Sequence, residues 1–274
     1  MRNKSIIIIL AVVVVLVAVF LLAGVKRGTL CPIQVGTVTE PAAGLVRQAE
    51  EAENSGNLLE AKSIYQALSD DFPGSGRAID WQGKAEELNM RLLFSPTVTP
   101  GSELYEIKPG DSLSKIAKKF NTTAGLIRRS NRITGDRIYP GKKIKVRTAG
   151  FTIVVDKSQN ILFLKSDEEI VKTYTVATGE DNCTPVGTFK IVNKLIDPPW
   201  HKEGVSEAIP AGDPRNILGS RWMGIDRPGY GIHGTTDPGS LGRQVTDGCI
   251  RMSNSDAEEL YTIVPMGTEV TVFD

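Results

Sequence analysis

Hydrophobic and polar positions alternate differently in successive stretches of the chain. Residues 6–25 are apolar or glycine without interruption. As a helix, such a run rises about 1.5 Å per residue and spans about 30 Å, the hydrocarbon thickness of a bilayer. The run is longer than the apolar core of a cleavable leader, and Lys26-Arg27 follow it. An uncleaved anchor over residues 1–28 is therefore expected. Residues 29–44 are rich in Pro, Gly, Thr and Val with no helical period, and read as a stalk. Between 45 and 94 the period turns helical, with Ala49, Ala52, Leu59, Ala61, Ile64, Tyr65 and Leu68 as the apolar stripe. Asn57 is placed to cap a second helix, Phe72-Pro73-Gly74-Ser75 to end it, and a third is expected from about Gly76 to Leu93.

Ser95-Pro96-Thr97-Val98-Thr99-Pro100-Gly101-Ser102 has the composition of a linker. In residues 103–148, Tyr105 and Ile107 alternate as a strand. Asp111 or Ser112 caps a helix whose inward stripe is Leu113, Ile116, Ala117 and Phe120. Asn131 opens a turn, and Ile144 to Val146 form a return strand. From about 150 to 274 the texture is mainly that of strands, with the candidate chemistry near its end.

That chemistry is His233-Gly234-Thr235 followed by Thr246-Asp247-Gly248-Cys249-Ile250-Arg251-Met252, in a chain with two histidines. A thiol becomes a nucleophile when a base takes its proton and the backbone leaves it reachable. Cys249 is the candidate nucleophile, His233 the candidate base, and Gly248 lets a substrate approach closely. The alternative is a core histidine and a structural cysteine. Arg251 stands two residues past the nucleophile, placed to grip a carboxylate or to form a structural salt bridge. Trp222 and Tyr230 read as a pocket wall or as core, and His201 as surface or pocket lining.

These segments resemble the L,D-transpeptidase catalytic domain of the YkuD type. Thr173-Tyr174-Thr175-Val176-Ala177-Thr178-Gly179, Thr184-Pro185-Val186-Gly187-Thr188-Phe189 and Gly229-Tyr230-Gly231-Ile232-His233-Gly234-Thr235 match its motifs in order. In this likeness Phe151–Asp156 and Asn160–Leu164 are the first two strands, and 265–272 is a closing hairpin. The resemblance implies attack by Cys249 on the third residue of a peptidoglycan stem tetrapeptide, release of D-alanine, and transfer to a second stem as a 3-3 cross-link. It implies that the Gly234 carbonyl orients His233, that the N–H groups of Gly248 and Cys249 form the oxyanion pocket, and that Thr246, Tyr230, Trp222 and Arg251 line the substrate site. The same acyl-enzyme resolved by water is an L,D-carboxypeptidase. A decayed site would leave a wall-binding structural protein.

Asp247 departs from the family, which has histidine at that position. A carboxylate beside the thiol raises its pKa by like-charge repulsion. In extended backbone, however, positions 247 and 249 share a face, so Asp247 is expected to accept from the His233 ring in a Cys-His-Asp arrangement.

Residues 103–147 are similar to the LysM module, a βααβ fold of about 45 residues. The likeness implies binding to N-acetylglucosamine-containing glycan strands through Gly110, Asp111, Ser112, Leu113, Asn131 and Ile138. Residues 45–94 resemble one tetratricopeptide-like repeat with a following helix, read as a spacer or as a docking site for a protein partner.

Charge sharpens this division. The net is zero overall, yet residues 103–147 hold 12 Lys/Arg against four Asp/Glu, while 151–274 hold 11 against 18. Such asymmetry suggests modules with different partners. Nucleic acid is disfavoured, since Tyr105, Phe120 and Tyr139 are the only aromatics of the basic segment. Cys31, Cys183 and Cys249 lack C-x-x-C spacing, so neither metal nor cofactor is expected, and Cys31 and Cys183 are read as free. The expected arrangement is multidomain: a single-pass transmembrane helix in the cytoplasmic (inner) membrane, a helical hairpin, a LysM module, and a mainly-β catalytic body on the periplasmic or cell-wall side.

Overall fold

A computed structural model describes residues 40–201, 204 and 206–274. The anchor at 6–25 and Cys31 lie outside the described residues. Among those described, no helix is long and apolar enough to cross a membrane. Three helices come first: α1 (Glu40–Asn54), α2 (Leu58–Asp71) and α3 (Ala78–Leu93). Helix α1 starts inside the segment read as stalk. Ala49, Ala52, Ala61, Tyr65, Leu68, Trp81 and Leu88 close their shared core, so the stripe seen in the sequence is the packing face except at Leu59, which is exposed on the other side of α2. Asn57 precedes α2 without capping it, because its amide donates to Glu60 Oε2 at 2.5 Å instead.

Next comes the βααβ module: β1 (Ser102–Glu106), α4 (Leu113–Lys119), α5 (Ala124–Ser130) and β2 (Lys143–Arg147). β1 and β2 pair antiparallel, Tyr105 opposite Ile144. Of the two expected caps, Ser112 serves α4, accepting from Lys115 N at 3.2 Å.

The remaining strands are β3 (Thr152–Asp156), β4 (Ile161–Ser166), β5 (Glu169–Thr175), β6 (Thr178–Gly179), β7 (Gly187–Ile196), β8 (Arg221–Ile225), β9 (Gly231–His233), β10 (Gln244–Thr246), β11 (Ile250–Arg251) and, after helix α6 (Asn254–Ile263), β12 (Glu269–Phe273). Eight of them form one sheet in the order β11-β9-β8-β7-β12-β3-β4-β5. Strict alternation buries Ile153, Val155, Leu162 and Leu164 on one face. The segment expected as a closing hairpin is not one. β12 inserts between β7, antiparallel, and β3, parallel, because Val270 and Val272 complete the core from the middle of the sheet.

Residues 95–102 do not behave as a free linker. Lys145, buried, donates to the carbonyls of Leu92 (2.7 Å) and Ser95 (3.0 Å), closing the C-terminal end of α3. Arg147 reaches the Pro100 carbonyl and Ser166 Oγ. Thr123 donates to the Thr262 carbonyl, and Leu126, Met90 and Leu93 enter the same core as Ile153. Helix α3 packs on β5, the sheet's last strand. Glu86 accepts from Thr173 N (2.9 Å) and Oγ1 (2.7 Å), while Asn89 donates to the Ile170 carbonyl at 3.2 Å. An edge strand with open backbone groups is a template for aggregation. Here the hairpin covers that edge, so its visible partner is the catalytic body of its own chain.

Candidate active site

The site lies at the other end of the sheet. β9 pairs antiparallel with β8, Trp222 opposite His233, and parallel with β11, Arg251 opposite His233. Alternation then sorts the side chains. Ile232 and Ile250 point into the core, and His233, Trp222 and Arg251 share the opposite face. Cys249, just before β11 and half-buried, has its sulfur 3.5 Å from the Gly229 carbonyl. His233 stacks on Trp222 with centroids 5.9 Å apart, and the indole N–H is spent on Asn193 at 2.9 Å. Trp222 therefore backs the imidazole. His201 is exposed.

Glycines make the arrangement fit. Gly248 has φ +107°, and a Cβ there would meet the Tyr230 ring at 2.7 Å. This backbone is not extended, so the face-sharing of positions 247 and 249 fails. Asp247 points to solvent and makes no hydrogen bond or ion pair with His233 among the described residues. The Cys-His-Asp arrangement expected from the sequence is not formed. His233 Nδ1 instead bonds the Gly234 carbonyl at 2.6 Å, as the resemblance implied. Thr246 Oγ1 accepts from Gly248 N at 3.2 Å and donates to the Cys249 carbonyl at 2.6 Å. That bond removes the Gly248 N–H from the expected oxyanion pair and leaves the Cys249 N–H for the role.

Burial dominates the electrostatics. It lowers His233 to about 4, with the Gly234 carbonyl opposing and Arg251 reinforcing the shift. It also pushes the Cys249 thiol up; the Gly231 N–H pulls it down and the Asp247 carboxylate pushes it up further. At neutral pH the pair rests as neutral imidazole and neutral thiol. Arg251 is half-buried. Its guanidinium donates to Ser240 Oγ at 3.0 Å, and its Nε is buried without a hydrogen-bond partner.

The LysM candidates sit differently. Asp111 is spent on Tyr105 OH (2.9 Å) and Lys108 N (2.8 Å). Asn131 is spent on the Ile127 carbonyl and on both backbone groups of Lys145. Ser112 caps α4, Leu113 is buried, and Ile138 packs against the same core. Gly110 has φ +82°, and its carbonyl accepts from Lys115 Nζ at 2.8 Å. Asp111 and Asn131 thus shape the module; both Asn131 amide hydrogens are spent, while both bonds to Asp111 use Oδ2. A groove of about 730 Å³ opens elsewhere, between Met90, Phe94, Arg129 and Lys172, and neither cysteine nor histidine lines it. The described residues contain no cluster able to hold a metal ion.

Asn254 escaped the sequence reading. Its amide touches three backbone groups of the loops beside His233, and the signal was the glycines at 219 and 234, where a Cβ would lie 2.1 Å from Asn254 Oδ1.

Comparison with known proteins places this geometry. A family model described as the L,D-transpeptidase catalytic domain matches residues 150–272, and a LysM domain model matches 105–147. The Bacillus licheniformis protein named for L,D-transpeptidase YkuD is 35% identical over 177 residues, covering 62% of this chain and 98% of its own. Its Bacillus subtilis namesake is 33% identical over 175 residues, covering 61% and 97%. Among solved structures, an L,D-transpeptidase from Mycobacterium smegmatis aligns with a TM-score of 0.40 at 21% identity, over 49% of this chain and 64% of that one.

Proposed function

The chain belongs to the L,D-transpeptidase family, and from that premise we propose a peptidoglycan L,D-transpeptidase that forms 3-3 cross-links through an acyl-enzyme on Cys249. The observation that carries the reading is the locked ring of His233. With Nδ1–H donating to Gly234, Nε2 serves as the proton acceptor in this reading; Cys249 lies two residues before Arg251, the β11 partner of His233, and the Leu218 carbonyl also favours the protonated ring. Because both groups rest neutral, the thiol proton moves to Nε2 as sulfur attacks the stem carbonyl, with no ion pair formed beforehand. The Cys249 N–H receives the oxyanion. The proton returns to the leaving D-alanine nitrogen, giving a thioester. The acceptor amine then attacks, passes its proton to Nε2 and releases Cys249. Arg251, on the same strand face as His233, holds a stem carboxylate.

The LysM module holds glycan strands close to the catalytic body, and the apolar run at 6–25 anchors the chain in the cytoplasmic membrane with its body on the wall side. Mass analysis of muropeptides incubated with the full chain tests the reading. Dimers that have lost one D-alanine and are joined between third residues support it. Tripeptide monomers alone make the enzyme a carboxypeptidase, and unchanged tetrapeptides make it a wall-binding protein.

A further inference from the structure

We propose that Asn254 is a positioning residue for His233, acting through the Gly234 peptide. The proposal rests on the reading of His233 as base. Asn254 Oδ1 accepts from Ser220 N at 3.0 Å and from Thr235 N at 3.0 Å, and its Nδ2 donates to the Thr235 carbonyl at 2.8 Å. One side chain thus staples the strand entering β8 to the segment leaving β9. Between its anchor points lies Gly234, whose N–H donates to the Arg221 carbonyl at 3.1 Å and whose carbonyl takes the His233 ring.

Space has been cleared for this amide on both sides. Gly219, at φ +64°, and Gly234 each leave room that a Cβ would close to 2.1 Å from Asn254 Oδ1. At Gly219 a Cβ would also meet Thr235 N at 2.4 Å and the Gly234 carbonyl carbon at 2.7 Å, so the amide, this glycine and the 234–235 peptide meet at one close-packed point. Helix capping does not need the amide, because Ser253 caps α6 by accepting from Asp256 N at 3.1 Å. The clamp fixes the plane of the 234–235 peptide and hence the direction of the Gly234 carbonyl. A freed peptide lets the imidazole turn or change tautomer, and Nε2 is then no longer the acceptor facing the sulfur.

The test compares full-length wild type, Asn254→Ala, Asn254→Asp and His233→Ala by the pH dependence of Cys249 acylation with a carbapenem, read by intact mass, together with melting temperature. Asn254→Ala should slow acylation about tenfold or more and move the acid limb to lower pH, since the Gly234 carbonyl favours the protonated ring. Asn254→Asp, which keeps both acceptor contacts, should recover to within about threefold of wild type. A purely structural clamp would shift the melting temperature and leave the profile in place, so an unmoved acid limb in Asn254→Ala overturns the proposal whatever its rate. If His233→Ala acylates like wild type, the reading of the base has failed instead.

Discussion

The two ends of the eight-stranded sheet are built on opposite terms. At the β5 end, strands of five to seven residues pair along most of their length, with one register shift at Leu164/Lys165, and side chains from α3 bind the Thr173 N–H and the Ile170 carbonyl on the outer edge. At the β11 end, strands shrink to three and two residues, and glycines at 234 and 248 stand just outside them where the ladder stops. Regular pairing consumes N–H and C=O groups. Where it stops, those groups are free to orient a ring, as Gly234 does, or to meet a developing charge. Chemistry sits at the irregular end, and stability is concentrated at the regular one.

Removing the nucleophile draws the contrast most sharply. Cys249→Ala should abolish acyl transfer and any carbapenem adduct in intact-mass spectra, while thermal unfolding stays that of wild type. An adduct persisting in the variant would move the nucleophile elsewhere. The resting protonation state comes next. Since the thiol is raised and His233 lies near 4, the Cys249 alkylation rate with iodoacetamide should climb about tenfold per pH unit through neutrality and beyond the ordinary thiol range. A plateau between pH 5 and 8 would reveal a preformed ion pair and would make the site end more polar than its burial implies.

The regular end is tested by Glu86→Ala, which orphans Thr173 N. It should cost about 1–3 kcal/mol in urea unfolding and promote association, with single-turnover acylation unchanged. A loss of acylation would show that the two ends are coupled. A smaller effect concerns Lys145 and Lys194, each lowered by burial from 10.5 to about 8. Each closes a helix C-terminus, α3 and α6 respectively. Between pH 8 and 10.5 the unfolded chain holds more protons at these positions than the native one, so their contribution to stability rises with pH across that window. Replacing either with Met should flatten the rise in melting temperature measured against wild type. The smallest effect belongs to Asp247→Asn. Removing an exposed like charge should speed alkylation by about two- to threefold at low salt and not at high salt. A tenfold loss would reinstate the carboxylate as a catalytic partner.

Much of this was legible in the chain. Alternation at 153–155 and 162–164 and the helical stripe from Ala49 to Leu68, Leu59 excepted, stand where their pattern puts them, and the His233 and Cys249 segments fall on adjoining elements. The misses share one cause. The face-sharing of Asp247 assumes extended backbone at Gly248, and the free Gly248 N–H leaves Thr246 out of account; Asn131, meanwhile, also staples α5 to β2. Periodicity reports which face a residue occupies. It is silent on which hydrogen bond a short polar side chain has already made, and silent wherever φ turns positive. The linker failed for a related reason, because nothing local in residues 95–102 announces a lysine fifty positions away.

The position of β12 also bears on the tempo of folding. Its partner β3 is more than a hundred residues away along the chain, and among the described residues β12 is the strand that joins the β3–β5 half to the β7–β11 half within the sheet, with a single further bridge from Ala177, after β5, to Arg251 of β11. Bringing such distant segments together is slow compared with forming hairpins such as β3–β4. Until that late event the two halves lack the strand that aligns them, and the thiol has no completed scaffold behind it. Reactive sulfur and finished fold therefore arrive together, which keeps the nucleophile from being presented by a half-made protein.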